Sequence, residues 1–484
     1  MKRLDPGNVM LAIALLLGAA TRLVGLTSGS VYVDEVHTLR VAGTTLPNMI
    51  AQLAANDYHP PLFYAIAHAL LGLHLQPEAY RYFTAPLALV TIAATWAIAR
   101  RLLGSTPAGI AALVIAIDPT AIMWDRIFRM YVVLDALVAL SWWLLITAES
   151  SSGARRTWLW IAFAVCAIMQ PYIHYIGILN VACQTAYGLW RLRTAWPAAA
   201  SAIASALAFL WWLPYAVRQI PGGGLVAGTA ALPVEWWTIA RDAVLEGAPL
   251  AWIQSPGFDI IVTIIVVAMS IWAALTARRT ILLFWLLLAA LQIVLSLVSG
   301  KFLAAPRYLL PILPVFAMGV GQVVDRHLLL PKVRLAPFAV GGLILALLGY
   351  CATNVLFDPL YQFPDWNIVA SIFAQHAQPA DEIIVDQGYD EEALGSAFGG
   401  RRINPVGSNS LESMIEYVHE DREARIWYIE NQYYFVDPNR KVLSALESTR
   451  PKLGEWLEPR VELSNRVYVV LFGPAWAPVH IRER

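Results

Sequence analysis

Charge is scarce in this sequence. Aspartate, glutamate, lysine and arginine make up 14% of its 484 residues, where a soluble globular chain carries about a quarter. A length that would otherwise hold about three soluble domains does not hold them here. An excess of one sign is also missing: 34 basic and 34 acidic residues cancel, which removes the electrostatic basis for general nucleic-acid binding. Cysteine is rarer still. Cys166, Cys183 and Cys351 all lie inside apolar runs, so neither a disulfide framework nor a Cys-rich metal site can be built. No internal repeat or low-complexity tract is visible.

What remains is apolar sequence, at 58% of the chain, with 19 Trp and 19 Tyr to serve as interfacial anchors. The few charges are unevenly spread. Residues 355–484 hold 20 acidic and 12 basic residues, nearly half of all 68. This divides the chain into a membrane domain, 1–354, and a soluble domain, 355–484. Apolar runs long enough to cross about 30 Å of hydrocarbon fall near 9–26, 80–99, 107–123, 132–148, 157–172, 174–190, 195–214, 257–277, 280–298, 307–325 and 335–354. The first resembles a signal peptide after Met1-Lys2-Arg3, but the runs that follow favour a retained span. Residues 59–75 are apolar yet carry two prolines and three histidines, and are expected as a surface helix within a first outer loop, 27–79.

The orientation rule for basic residues agrees with eleven spans and a cytoplasmic N-terminus. Lys2/Arg3, Arg100/Arg101, Arg155/Arg156, Arg191/Arg193, Arg278/Arg279 and Arg326/Lys332/Arg334 then all fall in cytoplasmic loops, and the C-terminal domain is extracytoplasmic. That domain reads as α/β: strands at 382–386, 425–429 and 466–471, helices at 365–378, 409–421 and 439–449. Pro221-Gly222-Gly223-Gly224 marks a flexible point in a long outer loop, and Tyr433-Tyr434 offers rings for strand-end packing or for stacking on a sugar.

Several polar residues on the outer side invite explanation. Asp34-Glu35 follows the first span; such a carboxylate can act as general base on a hydroxyl, bind a divalent cation together with His37, or simply cap a helix beginning near Val36. His59, in Asp57-Tyr58-His59-Pro60-Pro61-Leu62-Phe63-Tyr64, opens the surface helix where an anion is favoured; a plain interfacial role is the alternative. Arg126 and Arg129, in Asp125-Arg126-Ile127-Phe128-Arg129-Met130-Tyr131, run against the orientation rule and suit phosphate, or else tie helix ends together through Asp125. Lys301 and Arg307, in a second outer basic loop ending at Tyr308, fit either a bound phosphate or lipid headgroups. Near His174 the outer turn also holds Tyr172 and Tyr175.

Taken together, Asp34-Glu35, His59-Pro60-Pro61-Leu62-Phe63-Tyr64, Arg129-Met130-Tyr131 and Pro306-Arg307-Tyr308-Leu309-Leu310-Pro311 resemble the motifs of GT-C polyprenyl-phosphate-sugar-dependent glycosyltransferases. The likeness is to the dolichyl-phosphate-mannose–protein mannosyltransferase-like group with its aminoarabinose-transferase-like and rhizobial core-sugar-transferase-like members. It covers most of the chain. It implies an α-helical polytopic membrane protein with a C-terminal α/β extracytoplasmic domain. It also implies transfer from a polyprenyl-phosphate-linked sugar donor, held among membrane lipids, to a hydroxyl acceptor with inversion. Asp34 matches the catalytic base and Glu35 its partner. His59, where relatives often have Lys, with Arg126, Arg129, Tyr131, Lys301, Arg307 and Tyr308, matches the region around the carrier phosphate. Some members use a divalent metal beside the acidic pair, which here would engage Asp34, Glu35 and His37.

Two other readings share this composition. A lipid-linked sugar transporter would place ionisable groups such as Asp118, Asp135 or Asp325 at mid-membrane, usually with internal repeats. A non-catalytic membrane protein with an extracytoplasmic module needs only the α/β tail.

Overall fold

The computed structural model describes residues 5–219, 280–299, 306–325, 336–358, 365–385, 403–405, 411–420, 423–431, 437, 439–456 and 467–475, with isolated positions 268, 271 and 275. Lys301, Tyr433-Tyr434, Pro221-Gly222-Gly223-Gly224 and almost all of the expected span 257–277 lie outside the described residues. The chain forms two compact units. One comprises residues 1–26 and 38–357, the other 27–37 and 358–484.

The first unit is helical. Its order is α1 (Pro6–Leu23), α2 (Val33–Ala42, divided between the units), α3 (Leu46–Asn56), α4 (Leu62–Leu71), α5 (Ala88–Leu102), α6 (Ser105–Ile117), α7 (Pro119–Asp125), α8 (Tyr131–Glu149), α9 (Gly153–Ile173), α10 (Ile176–Trp190), α11 (Leu192–Phe209), α12 (Leu213–Gln219), α13 (Thr280–Ser299), α14 (Leu313–Asp325) and α15 (Ala336–Phe357). Every expected apolar run within the described residues carries helix. Four helices there are long and apolar enough to cross a membrane, or six when two bent pairs are each counted as one span. The chain is thus a polytopic α-helical membrane protein. Helix α4 has 10 residues, about 15 Å at 1.5 Å per residue, half of what a crossing needs. By length α4 is too short to cross on its own.

Local chemistry sets the bends. Asp118 is extended (ψ 122°) between α6 and α7, which meet at 55°, because the residue before a proline is pushed out of the helical region. Its carboxylate then accepts the Ala121 N–H at 2.8 Å and caps α7. Close packing has equally local causes. A side chain at Gly321 would meet the Pro107 carbonyl at 2.3 Å, so glycine lets α14 lie directly on α6. A buried polar network links α8, α9 and α10: Gln184 and Gln170 donate to Ser141, Asn180 donates to Gln170, and the Trp142 indole donates to Asn180.

The second unit contains a five-stranded sheet. Its strands are β1 (Glu382–Val385), β2 (Ile403–Pro405), β3 (Ile426–Glu430), β4 (Lys452–Trp456) and β5 (Tyr468–Phe472), in order β2-β1-β3-β5-β4. Strand β1 is parallel to β2 and β3, while β5 is antiparallel to β3 and β4. The expected strands are β1, β3 and β5. The expected helices are α16 (Trp366–His376), α17 (Leu411–Glu420) and α18 (Lys441–Thr449). Alternation sorts the side chains. Ile426 and Tyr428 join Met414, Val418, Val442 and Leu446 in one core. Trp427 packs against Phe373 of α16 at 5.1 Å. Asp365 caps α16 and also accepts the Ser30 N–H, while the Trp366 N–H donates to the Ser30 hydroxyl; residues 27–37 are fastened to the unit in this way.

Candidate functional site

Five separate stretches of the first unit converge on one group of side chains. The turn between α3 and α4 supplies Asp57 and His59. Asp57 is 5% exposed; one carboxylate oxygen takes the His59 N–H at 3.1 Å and faces His59 Nδ1 at 2.9 Å. The other accepts the Tyr64 hydroxyl at 2.9 Å. This aspartate folds its own turn, a habit of the residue type, and thereby aims the histidine.

Arg129 comes from the short segment between α7 and α8. It is 2% exposed and donates from Nη1 to the Thr38 hydroxyl at 2.7 Å and to the Tyr64 oxygen at 3.4 Å. Burial holds the Tyr64 phenol well above its ordinary range, so it stays protonated. Tyr131 begins α8 and meets Trp124 edge-on at 5.4 Å. A one-turn helix, Pro306–Leu309, contributes Arg307 and Tyr308. The Arg307 guanidinium lies 5.0 Å from the Tyr308 ring, 5.2 Å from Trp124 and 5.9 Å from Tyr131, a cation held by aromatic faces.

His174 completes the group from the turn between α9 and α10. Its ring is 5.1 Å from Tyr308, 5.8 Å from His59 and 6.1 Å from Tyr131. Burial first, then the charges of His59, Arg129 and Arg307, push its pKa well below the usual range. It is neutral at physiological pH. Nδ1 accepts the Ile176 N–H at 3.2 Å, which leaves the ring proton on Nε2. Two guanidiniums, a neutral imidazole donor and three aromatic rings thus lie close together, with Asp57 engaged by His59 and Tyr64. Such a grouping concentrates positive potential and suits an anion attached to a ring-shaped, partly apolar ligand.

His59, Arg129, Tyr131, Arg307 and Tyr308 therefore come together as the sequence suggested. Asp57, Tyr64, Trp124 and His174 join them without having been singled out for such a role. Arg126 does not. Its guanidinium donates to the carbonyls of Thr21, Val24 and Gly25, capping the C-terminal end of α1. The expected tie through Asp125 exists, but its partner is Arg22, buried to 1% exposure, at 3.0 Å.

Asp34 and Glu35 occupy the first turn of α2. Glu35 is 1% exposed and accepts the Tyr32 N–H at 2.8 Å, the reciprocal half of a helix cap. A metal held by Asp34, Glu35 and His37 does not fit: among the described residues no three His, Cys, Asp or Glu groups are placed to hold one. Glu35 is one residue from Asp34 and two from His37, spacings that do not face each other on a helix.

No protein-family model and no curated protein matches the sequence. Solved structures match throughout the chain. ArnT from Cupriavidus metallidurans, in the apo state, aligns with a TM-score of 0.53 at 15% identity, covering 96% of this chain and 97% of its own. The apo oligosaccharyltransferase of Archaeoglobus fulgidus aligns at 0.54 and 13% identity, covering 99% and 75%. The oligosaccharyltransferase AglB from the same organism, in complex with an inhibitory peptide and a dolichol-phosphate, aligns at 0.51 and 12%, covering 98% and 74%. At these identities the likeness is one of fold.

Proposed function

We propose that this protein is a membrane glycosyltransferase that moves a sugar from a polyprenyl-phosphate carrier to a hydroxyl acceptor on the extracytoplasmic face. One observation carries the reading: on a GT-C fold, Arg129, Arg307 and neutral His174 are gathered around Tyr131 and Tyr308. The AglB structure with dolichol-phosphate gives the ligand class in a protein of similar fold. Orientation follows from the basic residues: N-terminus cytoplasmic, 355–484 extracytoplasmic.

In the mechanism, an acceptor oxygen attacks the anomeric carbon. Its bond to that carbon forms as the bond from the carbon to the carrier phosphate oxygen breaks, inverting the configuration. The bonding pair leaves with the phosphate, and Arg129, Arg307 and the His174 Nε2–H stabilise the charge that gathers there, each worth about 3–4 kcal/mol in a preorganised site. Asp34 receives the acceptor proton. Its support is chemical type and its place in the acidic pair that follows the first apolar run. Glu35 steadies the first turn of α2.

The test is Asp34→Asn in proteoliposomes supplied with polyprenyl-phosphate sugar and an acceptor lipid. Transfer falls by about 10²–10⁴, the range for a lost general base, while donor binding persists. Full activity overturns the assignment. A transporter reading draws on Asp118 and Asp135, which are buried in the helical unit. In the same vesicles it predicts movement of intact donor across the bilayer with no sugar transferred.

A further inference from the structure

The aromatic cluster lies at one end of α8 and α10, through Tyr131 and through His174 just before Ile176. The other ends of the same helices frame a separate cavity of about 520 Å³, lined by Arg101, Glu149, Ser150, Tyr187, Trp190 and Arg191 among others. Helix α8 has 19 residues, about 28 Å at 1.5 Å per residue, close to the thickness of the hydrocarbon layer. The cavity thus belongs to the opposite membrane face.

Its chemistry is specific. The Glu149 carboxylate accepts from the Tyr187 hydroxyl at 2.6 Å, the Thr194 hydroxyl at 2.7 Å and Arg191 Nε at 2.8 Å. That carboxylate is fully engaged by the protein and orients Arg191, whose guanidinium also stands 5.6 Å from the Trp190 ring. Arg101 donates to the Ser150 hydroxyl; among the described residues no carboxylate pairs with it. Two guanidiniums therefore face one carboxylate, and the cavity carries net positive charge. Arg156, donating to the Thr194 carbonyl at 2.9 Å, adds a third cation nearby. The rim is apolar: Trp190 is 54% exposed, and Leu189 and Leu192 beside it are also exposed. An indole at this level is an interfacial anchor, while Ile146 and Ile281 reach the wall.

We propose that this cavity binds a phosphodiester anion, and that its source is the headgroup of an anionic phospholipid. Arg101 and Arg191 take the phosphate, and Trp190 packs along the first part of the acyl chains. A volume of this size is ordinary for a small-ligand site, and basic pockets between membrane helices are suited to such headgroups. The site is independent of the glycosyl-transfer cluster and does not rest on that reading.

The experiment uses the full chain in phosphatidylcholine vesicles titrated with brominated phosphatidylglycerol or, as control, brominated phosphatidylcholine. The signal is tryptophan quenching in the wild type less that in Trp190→Phe. Brominated phosphatidylglycerol quenches Trp190 at mole fractions where the control does not. Arg101→Gln raises the half-quenching mole fraction about fivefold, the weight of one basic residue near anionic lipid; Arg101→Lys restores it, which separates charge from folding. Equal quenching by both lipids, or an Arg101→Gln protein indistinguishable from wild type, overturns the proposal. Displacement of the brominated lipid by soluble glycerol phosphate overturns the lipid source.

Discussion

The two ends of helix α8 hold two ion pairs in opposite settings. Near the Tyr131 end, Arg22 and Asp125 are joined at 3.0 Å with side chains 1% and 6% exposed. At the Glu149 end, Arg191 and Glu149 are joined at 2.7 Å with side chains 45% and 14% exposed. The shorter bond is the less consequential one. Buried charges have no water to fall back on, so each depends on its partner, whereas an exposed guanidinium is resolvated when its partner is lost. The first end is therefore built to hold fixed geometry: Arg22 also donates to the Ile115 and Ala116 carbonyls, tying α1 to the segment that leads towards Arg129. The second end can exchange partners, which suits a site where lipids come and go.

The sharpest way to break this comparison is Arg22→Met. It leaves Asp125 buried without its guanidinium partner, and a buried pair broken on one side costs about 3–5 kcal/mol. Thermal unfolding in detergent, followed by circular dichroism, should show a large fall in Tm. A change no greater than that of a surface substitution would mean that water reaches this end as freely as the other.

Sequence alone distinguished these ends only in part. Strands β1, β3 and β5 were legible because their residues are β-branched or aromatic and bounded by turn residues. The edge strands β2 and β4, Ile403–Pro405 and Lys452–Trp456, were not: one is three residues long and the other polar, with a glycine inside. In the cluster, Arg129 and Arg307 were legible because, under the expected topology, they run against the orientation rule, and Tyr131 and Tyr308 through the motifs they share with them. Arg126 ran against that rule just as Arg129 did and is a helix cap instead; three residues apart in an irregular segment, nothing in spacing says which arginine turns inward. Arg22 was passed over because a cation at the end of a span reads as a boundary marker. His174 was passed over because a lone histidine in a turn carries no periodic signal. Only the packing of Tyr308, His59 and Tyr131 around it brings it into the cluster. The polar Asp57 turn had a partial signal, since aspartate before a Pro-Pro step favours a self-bonded turn, yet its link to Tyr64 is tertiary.

A smaller effect separates the ends by pH. His174 has its folded pKa pushed below the ordinary 6.5, so between the two values the unfolded chain binds the extra proton. Stability then rises with pH through that window: it is fully present above pH 6.5 and lost as pH falls towards the folded value. His174→Asn should flatten the acid side of a Tm-against-pH profile, whereas Arg101→Gln at the far end should leave its slope unchanged. An unchanged slope in His174→Asn would mean that the imidazole is already hydrated in the folded protein.

The smallest expected effect is also the most discriminating. Arg191→Gln removes a cation whose partner, Glu149, keeps its hydrogen bonds from Tyr187 and Thr194. The remaining carboxylate is not stranded, and the loss of a half-exposed pair is worth about 0–1 kcal/mol. Tm should barely move. Phosphatidylglycerol preference should still weaken, because the guanidinium contributes to the cavity potential whether or not it stabilises the fold. Measured together by thermal unfolding and by the quenching titration, a small stability change with a clear lipid effect is the signature of a residue kept for a ligand. A fall in Tm as large as that of Arg22→Met would place Arg191 instead among the residues that hold the helices together, and would erase the contrast between the two ends.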